Sequence, residues 1–174
     1  FRRGLRYDNP ATFTLVDNLA LGKPINFAQP ASSEYEPGTA LVDGVEGSAD
    51  FHDGRWAGWN DQVLDATIDL QKTTDIHSIG VGFLQDVGSR ILPPKQVTFL
   101  ASTDGQHWAS LEVEQPKADL TDTSPMLYRI AFKAAKPFMA RYIRVTANRC
   151  TAVPSSIPDG ATNTWLFADE ILVR

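Results

Sequence analysis

The chain has 174 residues, enough for one domain with a sizeable core, and its 43% hydrophobic and 21% charged content is ordinary for a globular fold. A net charge of -5 argues against nucleic acid and against an anionic membrane surface as partners. No apolar run approaches the roughly 18 residues of a membrane span, so no membrane insertion is expected.

Phe1-Arg2-Arg3-Gly4 is neither an initiator Met nor a signal peptide, and reads as the cut end of a longer chain. Residues 1–18 are expected to be the tail of a preceding domain or a linker, with one extended segment over 12–16 after the turn signal Asp8-Asn9-Pro10. The main domain is expected over residues 19–174. From there the alternation of apolar and polar residues predicts short strands over 66–70, 76–84, 96–101, 108–113, 127–133, 141–147 and 166–173. Asp104-Gly105 reads as the hairpin turn between the third and fourth of these. No segment sustains a helical period, so the expectation is an antiparallel sandwich or barrel. The long interruptions at 43–62, 85–94 and 148–164 are where a site is expected.

Three groups of residues carry candidate chemistry. Ala40-Leu41-Val42-Asp43-Gly44-Val45-Glu46-Gly47-Ser48 places two glycines, two acids and a hydroxyl in one tight loop. A hard cation takes roughly six to eight oxygens, partly backbone carbonyls, although the same composition fits a solvated Asp-Gly turn. Asp169-Glu170 interrupts an apolar strand, where a buried acid needs a partner, an arginine or a cation. The segment Phe51-His52-Asp53-Gly54-Arg55-Trp56-Ala57-Gly58-Trp59 offers aromatic faces beside planar polar groups, the mixture that recognises a sugar ring. Either tryptophan could instead plug the end of the sandwich. Asp86, Arg90 and Asn148 lie on other loops expected at the same rim.

Catalysis is not expected. Cys150 is the only cysteine, which excludes an internal disulfide, and His52, His77 and His107 stand in unrelated contexts. Adjacent strand residues point to opposite faces, so Asp169 and Glu170 are not placed to flank one scissile bond.

Six motifs occur in order: the Asp43-Gly44 loop, Trp56-Ala57-Gly58-Trp59, Asp65 to Leu70, Ser102-Thr103-Asp104-Gly105, Ala140-Arg141-Tyr142-Ile143-Arg144-Val145, and Phe167-Ala168-Asp169-Glu170-Ile171. Together they resemble the coagulation factor 5/8 type C, or discoidin-like, domain. More narrowly they resemble the family 32 carbohydrate-binding modules found at the C-terminus of bacterial chitobiase-like β-N-acetylhexosaminidases. The narrower likeness rests on Leu41-Val42-Asp43-Gly44-Val45-Glu46-Gly47-Ser48 and on Trp165-Leu166-Phe167-Ala168-Asp169-Glu170-Ile171.

The resemblance implies an all-β, antiparallel, eight-stranded jelly-roll sandwich with a structural calcium, or sodium. Side-chain oxygens would come from Asp43 and Glu170, carbonyls from Ala40, Val45 and Asp169, and a hydroxyl or carbonyl from Ser48. It implies a non-catalytic module that brings an attached glycoside hydrolase to glycans, with a GlcNAc, GalNAc or galactose type of sugar as ligand. The catalytic domain of the parent enzyme would be its other partner. The alternative is a structural spacer with no ligand of its own. Ligand contacts are expected from His52, Arg55, Trp56, Trp59, Asp86, Arg90 and Asn148. Such proteins are exported, to the periplasm, the cell surface or the medium. Two departures stand out: Arg90 where relatives often carry an aromatic before Ile-x-x-Pro, and no aromatic in the late loop 151–158.

Overall fold

Alternating side chains build the fold from strands. The computed structural model describes residues 17–35, 38–113, 115, 117–151 and 163–174. The strands are β1 (Ile25–Phe27), β2 (Ala57–Asn60), β3 (Leu64–Gln85), β4 (Gln96–Ser102), β5 (Ala109–Leu111), β6 (Met126–Asn148) and β7 (Trp165–Val173). Two single 3-10 turns interrupt them, at Gly38–Val42 and Val87–Ser89. The expected strand at 12–16, nearly all of the expected tail and residues 152–158 of the late loop lie outside the described residues.

The strands join into one antiparallel sheet in the order β2-β7-β3-β6-β4-β5, with β1 also on β3. Two long strands fold this sheet into two layers. The first part of β3 pairs with β1 and the second part with β7, while only the last part of β6 pairs with β4. At the crossing the β3–β6 register slips between Asp69 and Thr74 and again between Ile76 and Ser78. Gln71 takes a left-handed φ of 68° there, a strain of roughly 1–2 kcal/mol for a residue with a Cβ. Its N–H donates to Asp69 Oδ1 at 2.7 Å, which holds the bend. Where the resemblance implies eight strands, the described residues form seven: of the seven segments expected over 66–173, 66–70 and 76–84 are one strand and 127–133 and 141–147 another, which leaves five, and β1 and β2 bring the number back to seven. β1 and β2 were not among the expected strands.

The core lies between the layers. Ile68, Val97, Phe99, Ile143 and Val145 face Ile79, Val81, Phe83, Ile171 and Val173, all at most 1% exposed. Burying each such side chain stabilises by about 1.5–3 kcal/mol. On the outer surface, Arg144 makes a two-pronged pair with Asp65 at 2.7 and 2.6 Å, and Arg141 with Asp69 at 2.8 and 2.9 Å. These pairs explain why the Asp65–Leu70 and Ala140–Val145 motifs go together: they clamp β3 to β6.

Strand ends define two poles. Leu64 lies opposite Ala147, Gln96 opposite Asn148 and Asn60 opposite Trp165, and Ile91 bridges to Trp165. That pole, the rim, therefore gathers Asp61, the 86–95 segment, Asn148 and the start of β7. β4 ends at the other pole, where Ser102 pairs with Tyr142 and leads into the Asp104-Gly105 turn.

Candidate functional site

β7 carries the acidic pair, and a local irregularity buries both members. Val81 pairs with Ile171 but Phe83 pairs with Ala168, so the register slips opposite Gly82. Strict alternation fails at that point, and Asp169 and Glu170 are both 0% exposed. The two carboxylates nonetheless diverge. Asp169 accepts from Arg129 Nη1 and Nη2, each at 3.0 Å, and from the Gly47 N–H at 2.9 Å. Arg129 also reaches Glu46 at 3.1 Å. Burial pushes the Asp169 carboxyl up, and Arg129 opposes it.

Glu170 is held differently. It accepts from Asn18 Nδ2 at 2.6 Å and from the Gly44 N–H at 3.1 Å. Burial pushes it up to about 8, and the nearby charges of Asp43 and Asp169 add to the effect. Among the described residues no cationic side chain pairs with Glu170. Asp43 is exposed and accepts the Val45 N–H at 2.8 Å. The 3-10 turn that carries Ala40 packs against β7. Val45 is 40% exposed. The Ser48 carbonyl accepts from the Trp56 indole at 3.1 Å, and its hydroxyl accepts the Asp50 N–H at 3.2 Å.

The donor chemistry fits a hard cation in part. Asp43 and Glu170 are two neighbouring carboxylates with no salt-bridging cation among the described residues, and backbone carbonyls are at hand in the same loop. Asp169 has its side chain committed to Arg129, so only its carbonyl is left to offer. Among the described residues there is no ready-made cluster of three or more His, Cys, Asp or Glu.

The same loop runs on to an aromatic cluster. Trp56, Leu84, Ile91 and Phe167 form a second small core on the outer side of the β7 layer, with Tyr35, Phe51 and Trp165 half-buried against it. Tyr35 meets Phe167 edge-on at 4.5 Å and Trp165 at 5.1 Å, and Phe51 lies 5.9 Å from Phe167. This arrangement corrects the roles expected of Trp56 and Trp59. They are 1% and 0% exposed, and offer no ring face to a ligand. The reason is β2: pairing with β7 turns Trp59 into the main core and Trp56 into the second one. Their indole N–H groups donate to the Ser48 and Gln29 carbonyls respectively, each at 3.1 Å. Gly47 makes room, since a Cβ there would lie 2.3 Å from the Trp56 ring.

Polar groups surround the half-buried aromatics. His52 is exposed, stacks on Phe51 with ring centres 3.8 Å apart, and has Nδ1 3.1 Å from Asp50 Oδ1. Arg55 is exposed and donates to the Glu46 carbonyl at 3.3 Å. Asp86 caps the 3-10 turn by accepting from the Ser89 N–H and hydroxyl at 3.2 and 2.9 Å. Arg90 follows with a left-handed φ of 60°, and its carbonyl accepts the Trp165 N–H at 2.9 Å. Asn148 is exposed, and its carbonyl accepts the Lys95 N–H at 2.8 Å. Next to it Arg149 pairs with Asp61 at 2.9 Å. The structure thus brings the His52 ring and the Arg90 backbone to the aromatic cluster and leaves Asn148 on the first-layer side of the rim. Tyr35, Phe51 and Trp165 were absent from the expected ligand set. One signal was legible: Trp165 and Phe167 share the strand face opposite the inward-facing Leu166 and Ala168.

Comparison with known proteins agrees with this architecture. Solved structures similar in fold include the fucolectin from striped bass (Morone saxatilis) serum, with TM-score 0.61 and 16% identity over 90% of this chain and 47% of that one. A Streptococcus pneumoniae fucose binding module gives 0.57 and 15% over 90% and 93%. CpGH89CBM32-6 from Clostridium perfringens gives 0.51 and 15% over 91% and 98%. No curated protein matches the sequence significantly. The F5/8 type C domain matches over residues 25–164, and the chain belongs to that family of non-catalytic binding modules.

Proposed function

We propose that the chain is a carbohydrate-binding module over residues 19–174 that holds an attached glycoside hydrolase, of the chitobiase or β-N-acetylhexosaminidase type, on its glycan. The observation that carries this reading is the cluster of half-buried Tyr35, Phe51 and Trp165 beside His52 and Arg90. Aromatic rings present apolar faces to the C–H side of a pyranose, and the imidazole and guanidinium supply hydroxyl contacts. Tethering then raises the local concentration of enzyme at its substrate, even where the single site is weak. The ligand class is a GlcNAc, GalNAc or galactose type of sugar. Fucose joins the panel because the S. pneumoniae neighbour is a fucose binding module. The module works outside the cytoplasm, as an exported protein.

A structural cation, calcium or sodium, belongs to the same proposal. Asp43 and Glu170 would hold it, with carbonyls of Ala40, Val45 and Asp169 and an oxygen of Ser48. Its positive charge would supply the compensation that the described residues do not give Glu170. A chelator should then lower the melting temperature and calcium restore it; no shift with metal-free protein refutes this part.

The sugar reading is tested by titrating the chain with GlcNAc, GalNAc, galactose and fucose, with Phe51→Ala and Trp165→Ala as controls. Saturable binding lost in both variants supports it. One observation favours a second reading, a spacer that binds nothing: both tryptophans of the Trp56–Trp59 motif are core. Silence across a broad glycan array selects the spacer.

A further inference from the structure

The pole opposite the rim carries a second concave site. A cleft of about 350 Å³ lies between the turn after β4 and the middle of β6, lined by Ser102, Thr103, His107, Trp108, Phe138 and Met139 among others. Its walls are apolar, with half-buried Trp108 and Phe138, and with Met139 at 52% exposure. Its polar groups are few and fixed. Asp104 Oδ2 lies 2.7 Å from His107 Nδ1, while Oδ1 accepts the backbone N–H groups of Gln106 and His107 at 2.8 and 2.9 Å. The Ser102 hydroxyl donates to the same carboxylate at 3.0 Å. The imidazole is therefore anchored through Nδ1, and Nε2 is left for an outside partner.

The tryptophans sharpen the contrast. Trp56 and Trp59 are fully buried and each gives its indole N–H to a backbone carbonyl. Trp108 is half-buried, and among the described residues no group accepts its N–H. A partly wet aromatic ring with a spare donor, beside an oriented imidazole and the exposed Thr103, is a mixture of apolar wall and convergent polar groups, while the buried Ser102 hydroxyl is spent on Asp104 and on the Asp104 and Gly105 N–H groups. The one carboxylate at this cleft is already met by the Ser102 hydroxyl, two backbone N–H groups and the His107 imidazole. That points away from an ionic ligand and toward a neutral, polyhydroxylated one of ring size.

We propose that this cleft is a second saccharide site, taking one neutral pyranose ring against Trp108 with His107 and the Thr103 hydroxyl as its polar contacts. It stands apart from the rim: β4 places the two at opposite ends of the first layer. A module with both would bridge two glycan branches, with the gain in effective concentration that two linked sites give.

The test is a titration of the isotope-labelled full chain with galactose, GlcNAc and fucose, following the indole N–H signals of Trp108 and Trp165 by NMR. The expected result is a saturable shift at Trp108, together with His107, for at least one sugar. Trp108→Ala should abolish that site. His107→Ala removes an exposed side chain and leaves the fold intact; it should weaken the site roughly five- to tenfold, the size of one hydrogen bond. Shifts at Trp165 with Trp108 and His107 unmoved overturn the second site and leave the rim reading standing. Shifts at Trp108 alone support the second site and remove the rim one. Silence at both overturns both, and a Trp108 shift unaffected by His107→Ala overturns the assigned contacts.

Discussion

Gly82 is the residue over which the Arg129–Asp169 pair lies, and its replacement tests how much that pair contributes. A Cβ at position 82 would sit 2.1 Å from Asp169 Oδ1 and 2.2 Å from Arg129 Nη1. In Gly82→Ala one partner must move, and Arg129 can, because its side chain is 35% exposed while that of Asp169 is 0% exposed. Asp169 then keeps only the Gly47 and Glu170 N–H groups. Removing one partner of a buried pair costs about 3–5 kcal/mol. The exposure of Arg129 and uptake of a proton by Asp169 favour the lower end, about 3 kcal/mol. Alanine regains roughly 0.5–1 kcal/mol over glycine within a strand. The net loss is about 2 kcal/mol, or a fall in Tm of about 4–8 °C for a domain of this size. Urea unfolding of Gly82→Ala, Arg129→Met and the double variant would measure it. The double variant should cost at least about 1 kcal/mol less than the sum of the singles, since both remove the same pair. Additive costs, or a Gly82→Ala protein within about 0.5 kcal/mol of the parent, would refute the reasoning.

Glu170 makes stability depend on pH. Its carboxyl is raised from 4.5 to about 8, so the metal-free folded chain binds the proton more tightly than the unfolded chain does. That contribution is full below about pH 4.5 and is lost as pH rises through about 8, with an upper bound of about 5 kcal/mol. Chelated protein should therefore melt higher near pH 5 than near pH 8, and Glu170→Gln should flatten the profile; a flat profile in the parent contradicts this. For the aromatics, Trp59→Ala should cost about 3–5 kcal/mol in urea unfolding. Phe51→Ala should cost about 1 kcal/mol while abolishing sugar binding, and a Phe51→Ala protein that binds sugar normally removes the ring from the site.

The strands were legible wherever one face is buried, because the period of two survives in the residues themselves. Their continuity was not. Residues 71–75 separate two of the expected strands, yet the chain stays in one strand through a bulge, with Gln71 left-handed and pinned by Asp69. β1 and β2 have three and four residues, too few to show a period. The burial of both Trp56 and Trp59 depends on β2 lying between two apolar compartments, which a count of residues along the loop does not reveal. Strict alternation puts Asp169 and Glu170 on opposite faces, and the single register slip opposite Gly82, where both are buried, is not visible in the residues. Tyr35 gave no signal, as a lone aromatic among Ser33, Glu34 and Glu36.

The carboxylates and the aromatics look like separate features in the sequence, but one loop joins them. Gly44 and Gly47 donate to Glu170 and Asp169, the Ser48 carbonyl accepts from Trp56, and Phe51 and His52 lie between those anchors. Asp50 and Asp53 close the loop on itself through the His52, Ser48 and Arg55 N–H groups. Whatever holds Asp43 beside Glu170 therefore also restricts where Phe51 can stand. On the proposed function, a cation at Asp43 and Glu170 that tightens a sugar held by Phe51 would be tightened by that sugar by the same factor, because binding free energies couple reciprocally. The acidic pair would then act on the proposed recognition surface through the loop and not through contact.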